Sequence, residues 1–72
     1  MVEHPDPLIQ KLLHRLHDAD PVVRRNAVGA LRLHGDRAAC AISELVRLLA
    51  DEDATVRAEA ERALERLRQA AA

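Results

Sequence analysis

No phenylalanine, tyrosine or tryptophan occurs in the 72 residues. That removes the side chains on which nucleic-acid bases stack and the aromatic anchors of most protein interfaces. A single cysteine, Cys40, makes an intrachain disulfide impossible, so a reducing, cytoplasmic setting is expected. No apolar run approaches the length of a membrane span, and no basic–apolar leader opens the sequence, so a soluble, unprocessed chain with no membrane partner is expected. An excess of one charge is missing too. Eleven basic side chains face twelve acidic ones, and a net charge of −1 gives nucleic acid little to be drawn to.

What remains is mostly alanine, leucine and valine, with charged residues between them. Alanine and leucine favour helices, and the apolar share is ample for a folded chain. At this length one domain, 1–72, is expected, and its stability should be marginal. The few prolines and glycines act as punctuation. Asp6–Pro7 and Asp20–Pro21 each read as an N-cap followed by the first helical residue, and Asp53 repeats the cap before Ala54. Gly35 reads as a helix end, with Asp36 as the next cap. These signals predict four helices, at about 7–17, 21–34, 37–50 and 54–70. No segment alternates with the period of a strand.

Each helix has a face to bury at helical spacing. The first offers Leu8, Ile9, Leu12, Leu13 and Leu16, and the third Ala38, Ile42, Leu45, Val46 and Leu49, with Ala41 and Leu48 on a flank. The second carries Val23, Ala27, Ala30 and Leu31, with Val28, Val22 and Leu33 beside them. The fourth has a narrow stripe of Val56, Ala60, Ala63, Leu64, Leu67 and Ala71 within a charged surround. The middle helices should therefore be buried on more sides than the last.

The sequence repeats itself. "DADPVVRRNAVGAL" at residue 18 returns as "DEDATVRAEAERAL" at residue 51, and Ile9, Leu12 and Leu16 return as Ile42, Leu45 and Leu49. All these pairs lie 33 positions apart. A period of this length with two helices per copy is the mark of an α-solenoid. The Thr-Pro-Leu-His turn of ankyrin repeats and the aromatics of tetratricopeptide repeats are both missing.

"LLHRLHDADPVVRRNAVGAL" and "LVRLLADEDATVRAEAERAL" show a helix ending in paired large apolar residues, an acidic turn, Val-Arg and Ala-x-x-Ala-Leu. This resembles the HEAT family, and its short bacterial branch named after bilin lyase subunits. The resemblance implies an all-α fold, an α-solenoid of two HEAT-like hairpins and four antiparallel helices, at 7–35 and 36–70. It also implies a hydrogen-bonded ladder between neighbouring repeats, with Asp18, Arg24, Asp51 and Arg57 in the ladder positions.

Other side chains invite chemistry and offer little. His14 and His17 stand three apart on a helix, a chelating spacing, yet two ligands are too few and no companion is placed to help. His34 should lie near the start of the first helix, close to His4. No metal and no cofactor are expected. Cys40 falls in the first expected turn of the third helix, where a thiol can become reactive, but no His–Asp pair accompanies it and an incidental cysteine is the plainer reading. Arg24, Arg25 and Arg32 give the second helix a basic tint that the fourth answers with Glu59 and Glu65. Gly29, in mid-helix, permits either a close backbone approach or nothing at all.

The expected function is a non-catalytic protein-interaction or scaffold module. Its partner surface would lie on the second and fourth helices, at Arg25, Gly29, Arg32, Arg62 and Glu65. Two copies of a repeat that is usually stacked in threes or more should leave an apolar flank, placed at Leu8, Leu13, Val22 and Leu33. That flank implies self-association, as a homodimer or by docking onto another helical-repeat protein. Residues 1–37 sum to +1 and residues 38–72 to −2, which favours head-to-tail over like-with-like contact. The alternatives are an accessory subunit or fragment of a larger enzyme such as a bilin lyase and, third, a weak nucleic-acid binder.

Overall fold

The computed structural model describes residues 6–71, excepting the side chains of Asp36, Ala70 and Ala71. Helices α1 (Pro7–Arg15), α2 (Pro21–His34), α3 (Ile42–Leu48) and α4 (Ala54–Ala71) occur in order, with a 3-10 segment, Gly35–Ala41, between α2 and α3. No strand occurs among the described residues. α2 packs against α1 and, most extensively, against α4, while α3 packs on α4. The result is two helical hairpins set side by side.

Local chemistry sets the helix starts. Asp6 Oδ1 accepts from the Leu8 amide at 2.8 Å and Asp20 Oδ1 from the Val22 amide at 2.9 Å, each ahead of a proline at the first helical position. Asp53 Oδ1 accepts from the amides of Thr55 and Val56 and from the Thr55 hydroxyl, and so caps α4 without a proline. The turns between paired helices also match. Asp18 Oδ1 holds the Asp20 amide at 2.8 Å, and Asp51 Oδ1 holds the Asp53 amide at 2.9 Å. Each turn thus uses two aspartates, one to shape it and one to cap the next helix.

The core draws on both hairpins. Ile9, Val28, Leu31, Ala38, Ala41, Leu45, Val56, Ala60, Ala63 and Leu67 are fully buried. The third expected helix, 37–50, needs correction. Gly35 takes φ +60°, which an L side chain rarely adopts, and the chain then coils as a 3-10 helix before α3 begins at Ile42. A 3-10 helix places residues three apart on one side. Ala38 and Ala41 are so spaced, and both face the core. The cap assigned to Asp36 rests on a side chain outside the described set.

Three core assignments also change. Val46 and Leu49 are 45% and 39% exposed, although their counterparts in the first hairpin, Leu13 and Leu16, are half-buried and buried. Leu8 is also exposed. Each hairpin covers one side of the other; within the described residues nothing covers the side of the second hairpin on which Val46 and Leu49 lie.

Candidate repeat-docking faces

One guanidinium joins the two hairpins. Arg24, on the first turn of α2, places Nε 2.9 Å from Asp51 Oδ2 and an Nη 3.0 Å from Oδ1, a bidentate pair across the junction. Its other Nη donates to the carbonyls of Asp18 and Ala19 at 2.7 and 3.0 Å, tying down the turn of its own hairpin. Both side chains are over nine-tenths buried. The Arg24 hydrogen bond holds the Asp51 carboxyl below the usual carboxylate range, against the opposing effect of burial. No buried side-chain nitrogen or oxygen among the described residues lacks a partner.

The other ladder positions are half used. Arg57 donates to the Asp51 carbonyl at 2.6 Å, as Arg24 does to Asp18, but its guanidinium makes no ion pair among the described residues. The exposed carboxylate of Asp18 shapes its turn and likewise meets no cation there. The Arg24–Asp51 junction therefore has an unused acceptor at one end of the molecule and an unused donor at the other.

Further contacts secure the junction. Arg32 Nε lies 3.0 Å from Glu59 Oε1, and Arg62 approaches Glu59 Oε2 at 3.7 Å from within α4. His17 Nε2 meets Glu44 Oε2 at 3.1 Å, so this histidine faces a carboxylate rather than His14. Arg37 pairs with Asp6, whose carboxyl is held below its ordinary range first by the Leu8 amide and then by that arginine. The field of His34 also reaches Asp6, which puts His34 near the start of α1; His4 lies outside the described residues. Among the described residues no cluster of three metal-ligating side chains forms.

The expected partner surface divides in two. Arg25, Gly29 and Arg32 line one shallow groove with Asn26, Ala30, Leu33 and Glu59, while Arg62 and Glu65 line another with Ala58 and Glu61. Glu59 stands between them and holds an arginine from each side. With Arg24 and Arg32 both committed to carboxylates, Arg25 is what remains of the basic tint on α2. Cys40 is exposed at the end of the 3-10 segment, not in an α-helical first turn. A Cβ on Gly29 would meet only Glu59 Oε1, at an ordinary 3.8 Å, so no close approach requires the glycine. Gly29→Ala should raise stability by about 1 kcal/mol and the melting temperature by about 4–8 °C. A lowered melting temperature would refute that reading.

Of the residues expected on an apolar flank, Leu8, Val22 and Leu33 are exposed and Leu13 is half-buried. Leu13 packs against the core, and Leu33 belongs to the Arg25–Arg32 groove. Leu8 and Val22 are exposed, but the open face between α1 and α2 is lined by Leu12, Arg15, Asp18, Val23, Asn26, Ala27 and Ala30. Thirty-three residues on, Leu45, Val56, Ala60 and Ala63 fill the same register positions, and all four are fully buried. Val23 and Ala30 are only half-buried because the first hairpin lacks what the second has, a neighbour on that side. Comparing burial demand at Val23/Val56 and Ala30/Ala63 is the signal that finds this face.

Stacked helical hairpins joined by a buried arginine–aspartate pair define an α-solenoid. The family model for HEAT repeats matches residues 5–72, and the chain belongs to that family. A search of curated proteins found no match, and neither did a search of solved structures. HEAT repeats are in general protein-interaction and scaffold modules. No helix among the described residues is long and apolar enough to cross a membrane.

Proposed function

We propose that this chain is a non-catalytic interaction module that associates with itself, using the open α1–α2 face as one half of the contact. The supporting observation is the burial asymmetry between register equivalents: Val56 and Ala63 are fully buried, while Val23 and Ala30 are only half-buried. Such a face gains by being covered, and burying apolar area contributes about 25 cal/mol per Å² before the costs of association. Without aromatic anchors the contact should be weak and concentration-dependent.

Sedimentation velocity between about 10 µM and 1 mM, with melting curves over the same range, tests this. The weight-average mass and the melting temperature should both climb with concentration. A constant monomer mass with an invariant melting temperature would overturn the proposal.

A further inference from the structure

We propose that copies of this chain stack head to tail, the α3–α4 face of one on the α1–α2 face of the next, with Arg57 of the first gripping Asp18 of the second. This rests on the self-association proposed above and specifies its geometry. The internal junction supplies the template. There, the first hairpin presents Leu16, Val28, Leu31 and Arg24, and the second receives them with Asp51, Val56, Ala60 and Ala63 around Leu45.

Shifted by 33 residues, the presenting set becomes Leu49, Glu61, Leu64 and Arg57, and the receiving set becomes Asp18, Val23, Ala27 and Ala30 around Leu12. Both sets lie open. Leu49, Glu61 and Leu64 line a groove on the α3–α4 side with Glu65 and Arg68, and the receiving residues line the groove on the α1–α2 side. The polar atoms match as well. Arg57 is already tied to the carbonyl of its own turn and Asp18 already holds its own turn amide, so both sit as Arg24 and Asp51 do, without the pair between them.

Where the two faces depart from the template, they depart with opposite charge. Glu61 stands at the Val28 position on the presenting face, and Arg15 stands at the Leu48 position on the receiving face. The Arg32–Glu59 pair becomes Glu65 and Asn26, and His17–Glu44 becomes Ala50 and Lys11. None of these register partners carry like charges, but Glu61 would lose hydration at the position Val28 fills, which weakens the contact relative to the internal junction. A contact between two different faces does not close on itself. It extends, so the product is a lengthening solenoid rather than a dimer.

The test pairs Asp18→Asn, which keeps a side-chain oxygen for the turn, with Arg57→Glu, in sedimentation velocity on the full chain. Wild type should grow past the dimer as concentration rises. Each variant alone should associate at least about tenfold more weakly, having lost one side of the charged pair. An equimolar mixture contains one sound junction, Arg57 of the first variant on Asp18 of the second, and should plateau at twice the monomer mass. Arg57→Gln replaces Arg57→Glu if the latter fails to melt cooperatively. A wild type that plateaus at the dimer, with variants and mixture unchanged from it, would overturn head-to-tail stacking and leave self-association standing. A wild type that stays monomeric would overturn both.

Discussion

Val28→Glu should abolish cooperative unfolding at neutral pH, while Glu61→Val should leave the fold intact. The two positions are register equivalents, 33 residues apart, and the substitutions simply exchange their residues. Val28 has no exposed surface at the junction with α4, whereas Glu61 is exposed on the far side of α4. A glutamate at 28 either loses its hydration unpaired or forces the hairpins apart. Introducing an unpaired buried charge costs several kcal/mol. A domain of this size has about 4–11 kcal/mol in total, at roughly 0.05–0.15 kcal/mol per residue. Glu61→Val exposes some apolar area and should change monomer stability by about 0.5 kcal/mol or less. Circular dichroism melts at one low concentration decide the matter. Equal losses at both sites would mean that the hairpins are not asymmetrically covered.

That asymmetry explains which parts of the molecule are legible in the sequence. The caps at Asp6, Asp20 and Asp53 act within three residues, so sequence alone locates them, and the 33-residue echo carries the fold class. The third helix begins later than its propensity predicts, although "RAACAI" favours the α-helix strongly. Small residues three apart, Ala38 and Ala41, instead let a 3-10 segment press against the core after the turn at Gly35. Val46 and Leu49 lie on an apolar stripe indistinguishable from that of Leu13 and Leu16. Their exposure depends on a neighbour, which no helical-wheel pattern records. For the same reason hydrophobicity singles out Leu8, Leu13, Val22 and Leu33 but not the groove between α1 and α2, whose apolar lining is Leu12, Val23, Ala27 and Ala30. Family resemblance suggests the ladder residues, but the long-range partner of Arg24, 27 residues away, depends on how α2 and α4 cross.

Arg24→Met should lower the melting temperature by at least about 10 °C at pH 7, the scale for removing one member of a buried pair from a small domain. Asp51→Asn should cost roughly half of that, because the amide oxygen still shapes the turn and Arg24 keeps the carbonyls of Asp18 and Ala19. The double variant should be scarcely worse than Arg24→Met alone, since the two side chains act as a unit. pH gives an independent check. Asp51 has a depressed folded pKa, caused chiefly by the Arg24 hydrogen bond. Its contribution is therefore complete above the unfolded carboxylate value, about 4, and is lost as pH falls through the lower folded value. Wild type should thus lose stability below pH about 4 more steeply than Asp51→Asn. The variant retains a residual slope from Asp6 and Asp53, whose carboxyls are also held low by their caps. In Arg24→Met the stranded Asp51 carboxylate is relieved by protonation, so the deficit relative to wild type should shrink as the solution is acidified. Melts from pH 7 downward that kept the two curves parallel, or single losses that summed in the double variant, would show that the arginine and the aspartate do not hold the hairpins together as a pair.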